Sequence, residues 1–343
     1  MLLKFQAFEQ SVKILLTEEP DEVWCNARSL TLGLLPAVPK VSGAQDAWPS
    51  RTITFVVPYA AGGYTDLVGR LAARYVESAL GRPVIIDNRA GAGGIVGTQA
   101  VANAAPDGYS FCVCSIGAVS IAPFVQKVGY DPVSDLVPIG IISSIPQMVI
   151  VNTKLPVRTM PELVAYAKAH PGKLNYGSSG AGGLTHYSVE LFLARIATTA
   201  VHIPFKGGAP ATAAVVSGDV DFAFGNMTDA LPQVEGGAAR GLAVTSLTRS
   251  TYFPDLPTVH ESVLPGFIAE TWNGVMAPPK TSEPIIRMMS EVLIRMADDP
   301  EFKESMRKAG AGTVKSTPAE FRAQIAQEIA QWKPLIAEIA EKK

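Results

Sequence analysis

Charge is scarce in this chain, and what there is lies scattered. Of 343 residues only 17% are Asp, Glu, Lys or Arg, with 29 basic against 31 acidic and a formal net charge of −2. Without a basic stripe or a run of like charge, nucleic acid and membrane surfaces are poor partner classes. Histidine is scarce too: His170, His186, His202 and His260 stand far apart, and no Cys/His spacing marks a zinc site. Of three cysteines, Cys25 stands alone, while Cys112 and Cys114 lie two apart on a predicted strand and point to one face. That spacing is awkward for a mutual disulfide, so buried free thiols behaving as small hydrophobes are expected. Although 48% of residues are hydrophobic, no apolar stretch is long enough to span a bilayer. A soluble globular protein remains, long enough for two domains with cores of their own.

The first fifty residues differ from the rest. Arg28 precedes an apolar run from Leu30 to Leu35 that reaches Val38, and Ser42-Gly43-Ala44 follows. Basic residue, apolar run and small residues in that order form a secretory signal pattern. Ala27–Ala47 is read as its core, with cleavage near Ala44 or Ala47 and translation starting downstream, for example at Val23. A disordered tail is the competing reading.

From Arg51 the pattern becomes regular. Thr52–Val57, Val84–Ile86 and Tyr109–Cys114 are predicted strands, and Leu67–Leu80 and Ile95–Ala104 predicted helices. Thr65 and Asp66 are good N-cap types for the first helix, and Gly81 with Pro83 ends it. Alternating strands and helices imply a parallel α/β sheet. Leu136–Ile142 and Gln147–Val151 are strand-like and lead out of this unit. A second series follows: a capping box at Thr159–Glu162 with a helix to Lys168, strand Leu174–Tyr176, helix His186–Ile196, strand Val201–Pro204, a helix from Lys206 to Val216, and strands Val220–Phe224 and Gly241–Thr245. Beyond Thr271-Trp272-Asn273 lie helices Ser282–Met296, Asp299–Ala309 and one from a capping box at Thr317–Glu320 towards Lys343. These are expected to return and cover the first domain.

Two loops attract attention. Tyr59-Ala60-Ala61-Gly62-Gly63-Tyr64-Thr65 joins a strand to a helix, and so does the stretch from Ser178, Ser179 and Gly180 to Thr185. A strand, a bare loop and a helix start present main-chain N–H groups at a positive helix end, which is an anion site. Both loops lie at carboxyl ends of strands, where open α/β sheets bind ligands. The two are expected to face each other across a cleft and share one carboxylate. Gly91–Gly97 matches neither G-x-G-x-x-G nor a P-loop; tight turns and ligand contact both fit it. His186 is a further ligand candidate. Lys206, beside Gly207, reads either as a cation for an acidic ligand or as a solvated helix-start lysine. Trp272 and Phe224 read either as pocket lining or as core. No nucleophile with its base can be assembled, and no metal or cofactor is called for.

Several motifs in one order then resemble the Bug (TctC-type) family, extracytoplasmic solute-binding proteins of tripartite tricarboxylate transporters. They are Val56–Asp66 (VVPYAAGGYTD), Asp87–Gly94, Ala105–Tyr109, Gly172–Gly180, Pro204–Ala211, Gly241–Ser246 and Phe253–Thr258. The likeness covers roughly Trp48 to the C-terminus. It implies a two-lobed periplasmic-binding-protein (Venus flytrap, type II) α/β fold, with a ligand carboxylate held between the lobes by main chain and water from Tyr59–Thr65 and Ser178–Thr185. It implies residues 1–47 as leader, 48–148 with 271–343 as the first lobe, and 149–270 as the second, with crossings near 147–151 and 268–273. It further implies a monomeric periplasmic protein, not an enzyme, that delivers a small organic acid to permease subunits in the membrane. A ligand-sensing partner of a receptor and a carboxylate-processing enzyme on the Ser178–Ser179 loop are the rival classes. Two positions depart from the family pattern. Gly225-Asn226 lacks an Asp often found before that Asn, and Tyr64 stands where a small residue is common. Both are expected at the outer cleft, where a lost acid and a bulkier residue suit a less polar or aromatic acid.

Overall fold

The computed structural model describes residues 48–250 and 253–341. The leader and signal reading of residues 1–47 lies outside them. The first lobe opens with β1 (Ile53–Val57), α1 (Tyr64–Leu80), β2 (Val84–Asn88), α2 (Ile95–Ala102), β3 (Ser110–Ser115) and the short α3 (Ala122–Val125). β4 (Val137–Asn152) leads to α4 (Met160–Ala169), β5 (Asn175–Ser178), α5 (Leu184–Arg195), β6 (Val201–Pro204), α6 (Gly208–Ser217), β7 (Phe222–Asn226), α7 (Met227–Glu235) and β8 (Ala239–Val244). After α8 (Val259–Ser262) come β9 (Glu270–Ala277), α9 (Glu283–Asp298), α10 (Pro300–Lys308), β10 (Gly312–Thr313) and α11 (Pro318–Glu341).

The strand order is β2-β1-β3-β9-β4-β7-β5-β6, with β10 and β8 also paired to β4. β1 lies parallel to β2 and β3, and β5 lies parallel to β6 and β7, as βαβ connections require. The middle is antiparallel. The two strand-like runs at 136–142 and 147–151 form one 16-residue strand, β4, because Pro146 does not end it. Val137–Pro146 pairs with β9, and Gln147–Val151 pairs with β7. One continuous strand thus carries the chain from one lobe to the other.

Alternation along the strands distributes the core to the two faces of the sheet. Ile53, Phe55 and Val57 pack with Val68, Ala72 and Val76 of α1 and Met289 and Val292 of α9. Val56, Cys112 and Cys114 face the other way, towards Ile95 and Val101 of α2. α1 is capped by Gly63 in extended conformation rather than by Thr65 or Asp66, which lie inside its first turn. Gly81 closes it in the left-handed region, φ 64°, its N–H reaching the Glu77 carbonyl.

One expectation needs correction. Cys112 and Cys114 are joined in a disulfide, their Cα atoms 5.2 Å apart; one face and that separation suffice for a bridge. α9 packs on β4 and α1, and α11 lies against β4, α3 and α5. Among the described residues no helix is long and apolar enough to cross a membrane.

Candidate ligand-binding cleft

Where the lobes meet, a cavity is lined by Tyr59, Gly63, Tyr64, Thr65, Ser115 and Thr271 from one side. Ser179, Leu184, Thr185, Gly208 and Asn226 line the other. These residues mark four helix starts. Gly63–Thr65 begin α1, Leu184 and Thr185 begin α5, Gly208 begins α6, and Asn226 caps α7. Each helix end carries a partial positive charge and N–H groups without intrahelical partners. Among the described residues no Lys or Arg lines the cavity; the other polar side chains are hydroxyls and the Asn226 amide. Such a surface suits an anion held by dipoles and hydrogen bonds.

On the first loop, the buried Tyr59 hydroxyl donates to the Gly93 carbonyl at 2.9 Å and lies 2.8 Å from Ser115 Oγ. Burial pushes its pKa up to about 12, against the pull of Ser115, so it stays protonated and able to donate. Burial also opposes ionisation of Asp66, yet Arg70, the Gly62 N–H and Asn88 outweigh it and hold its carboxyl below the usual range. Gly62 N–H donates to Asp66 Oδ2 at 2.9 Å, which ties the loop to its own helix. Tyr64 does not sit at the outer cleft. It is 2% exposed, its hydroxyl lies 2.6 Å from Ser143 Oγ of β4, and its N–H donates across the lobes to Asp229 Oδ1 at 3.0 Å.

On the second loop much of the main chain is already engaged. Ser179 N–H donates to Thr185 Oγ1 at 2.8 Å, Gly180 N–H to Ser178 Oγ at 3.1 Å, and Gly182 N–H to His186 Nδ1 at 3.2 Å. The loop thus turns several donors inward and presents the Ser179 and Thr185 hydroxyls, 2.7 Å apart. Behind it, Ser178 Oγ lies 2.6 Å from His202 Nε2, and the His202 ring stacks on His186 at 3.9 Å. A serine and a histidine 24 residues apart could not be paired by spacing. Ser178 is 1% exposed and does not line the cavity.

The expected site residues therefore divide. Tyr59, Gly63, Tyr64, Thr65, Ser179, Thr185 and Asn226 come together around one cavity. Ala61 and Gly62 are exposed, Ser178 and His186 lie behind the second loop, and Gly180 packs on Gly93. Ala60 N–H donates to the Lys206 carbonyl at 2.9 Å, so Lys206 joins the lobes through its main chain while its side chain is exposed. Gly207 packs against Ala60 in the same contact. Trp272 is core: its ring meets Phe321 edge-on at 4.9 Å, and Nε1 donates to Glu328 at 2.7 Å. Gly93 has a third role, neither plain turn nor ligand contact. With φ 65°, a Cβ there would lie 2.3 Å from the Ala181 carbonyl oxygen, so its bare backbone lets the lobes touch.

Sequence reasoning missed Ser115, Gly208, Thr271 and Asp229. The acid absent at position 225 is present at 229, in the first turn of α7 and 8% exposed. Asn226 followed three residues later by an acid has capping-box spacing, a signal that was available. The expectation that loss of an acid favours a less polar ligand loses its premise.

The likeness to known proteins agrees with this geometry. The family model for the tripartite tricarboxylate transporter family receptor, TctC, matches residues 68–340. Protein BugT of Bordetella pertussis is 35% identical over 302 residues, 87% of this chain and 92% of that protein. The solved structure of the periplasmic binding protein BugD superposes with a TM-score of 0.82 at 34% identity, covering 85% of this chain and 99% of the other. R. palustris Rpa4515 with adipate gives a TM-score of 0.82 at 31% identity, over 85% of this chain and 98% of the other. The chain shares its fold with these structures and belongs to the TctC, or Bug-type, family of solute-binding receptors.

Proposed function

We propose that this protein is a periplasmic receptor that captures a small organic carboxylate between its lobes and delivers it, as a monomer, to a tripartite tricarboxylate-type permease. In this reading the lobes comprise residues 48–148 with 271–343, and 149–270. The observation that carries it is the convergence of four helix starts and several hydroxyls on one cavity without a lining cation. Dipoles and neutral donors hold an anion without the desolvation cost of a buried ion pair. The ligand would dock on Gly63–Thr65, and closure would bring Ser179 and Thr185 onto it, shifting the population to the closed form. The adipate in the R. palustris neighbour supports the same ligand class.

A thermal-shift screen against mono-, di- and aromatic carboxylates tests the ligand class. A ligand at a hundred times its Kd, binding only the folded state, adds about 2.7 kcal/mol. A melting temperature raised by amines or neutral sugars and by no carboxylate would sink the reading. Uptake of the identified acid into vesicles carrying candidate permease subunits, with and without the receptor, tests delivery. Equal uptake in both would remove the transport role.

A further inference from the structure

One ionisable group beside the cavity plays no part in the binding scheme above. Asp229 Oδ1 accepts the Tyr64 N–H at the start of α1 in the opposite lobe, at 3.0 Å. Its Oδ2 accepts from Asn226 Nδ2 at 3.3 Å. A Cβ built on Gly63 would lie 3.4 Å from Oδ1, and one on Gly208 would lie 1.9 Å from Oδ2. Gly63, Tyr64, Gly208 and Asn226 all line the cavity. The Asp229 carboxylate therefore stands immediately behind the wall that would receive the ligand. One of its oxygens already sits on the helix end that favours an anion.

Among the described residues nothing nearby neutralises it. α6, β4 and β7, which pack against α7, carry no titratable side chain. β8 carries Arg240, whose guanidinium donates to the carbonyls of Thr153, Leu155 and Val157. α7 itself adds Glu235 at its far end. Across the lobe boundary α1 brings Tyr64, bonded to Ser143, and Asp66, paired with Arg70 at 2.9 Å. The Lys206 side chain, ahead of α6, is exposed. Two carboxylates sharing one helix end with no cation between them cannot both stay ionised cheaply.

We propose that Asp229 makes carboxylate binding proton-linked and so sets the charge this cleft accepts. Asp229 is ionised in the free cleft above neutrality and takes up one proton from solvent as a ligand carboxylate arrives. The neutral acid then serves as a donor to the ligand. For a monocarboxylate the net charge of the cleft is unchanged by binding, since one proton enters with one anion. Burial already lifts the Asp229 carboxyl to about 7, against the pull of the Tyr64 N–H and Asn226, and a ligand anion lifts it further. Above that pH, affinity falls as pH rises, approaching about tenfold per unit. Below it, this group no longer contributes to the pH dependence.

The inference rests on the carboxylate reading of the cleft, and calorimetry separates the two. The probes are adipate and a panel of simple mono- and dicarboxylates, titrated into the full chain at pH 6.5 and 8.5 in buffers of differing ionisation heat. Wild type should bind its carboxylate about 25-fold more weakly at the higher pH, taking up a proton on binding. Asp229→Asn should bind without proton uptake, equally at both pH values, and more tightly than wild type at pH 8.5. Wild-type binding that neither changes with pH nor takes up a proton overturns the proposal, and that measurement needs no variant. A uniformly weaker Asp229→Asn also overturns it, because Asp229 would then be pairing with a cationic group of the ligand. If no carboxylate binds either protein at any pH, the carboxylate reading itself fails and the linkage falls with it.

Discussion

Substituting Asp229 by Asn tests the electrostatics of the closed cleft in the ligand-free protein. Asn has the same shape and keeps an acceptor for the Tyr64 N–H, so packing across the lobes is preserved. The wild-type carboxyl is displaced from 3.8 to about 7, chiefly by burial. Its folded-state pKa is raised, so the unfolded chain gives up this proton first. Folding therefore loses stability as pH rises from about 4 to about 7, and the full penalty persists above that range. Three units at 1.36 kcal/mol each make the penalty about 4 kcal/mol at pH 8, of which only about 1–2 kcal/mol is present at pH 5. The stability of Asp229→Asn relative to wild type should thus improve by about 2–3 kcal/mol between pH 5 and pH 8. For a chain of this size that is roughly 5 °C in relative melting temperature. Melts of both proteins by circular dichroism at pH 5, 6, 7 and 8 measure the gap, and other titrating groups cancel in the difference. Parallel curves would refute the reasoning, since they would mean that Asp229 keeps an ordinary carboxyl pKa in the folded cleft.

Three further outcomes are expected. Gly93→Ala places a Cβ 2.3 Å from the Ala181 carbonyl oxygen; it should cost about 1–2 kcal/mol from left-handed backbone strain yet lower carboxylate affinity at least about 30-fold by blocking closure, and calorimetry showing retained affinity would place the contact outside the binding cycle. Both amide atoms of the Gln147 side chain are buried without a partner at the lobe crossing. Gln147→Met should therefore raise stability by about 1–3 kcal/mol in urea melts; an unchanged midpoint would argue that the amide is satisfied. Titration of the denatured, unreduced protein with a thiol reagent should detect at most one cysteine, Cys25, because Cys112 and Cys114 are joined. Reduction should cost no more than about 2 kcal/mol, since the loop closed is minimal.

On the proposed reading, this cleft would meet an anion without a cation from the described residues. A lysine or arginine buried opposite the ligand would pay for desolvation in the empty state and would hold any anion. Helix ends and hydroxyls are cheaper to bury and aim their donors, so shape decides which anion fits. On the same reading an ionised Asp229 would add a charge of the ligand's own sign beside this surface. It meets the Tyr64 N–H at the start of α1.

Local pattern determined a great deal here. The 3.6 and 2.0 periods placed α1, α9 and most strands, and glycine-rich loops followed by helix starts drew attention to Tyr59–Thr65 and Ser178–Thr185 as candidate anion sites. These features depend on neighbours within a few residues, which a sequence states directly. Tertiary structure alone decided the rest. It turned Trp272 into the core partner of Phe321 and Glu328 and set Ser178 and His186 behind their loop. Above all it brought Asp229 to Tyr64, 165 positions away. Such a contact depends on how the two halves of the sheet, joined through β4, place their loops against each other. No periodicity within either segment encodes that closure.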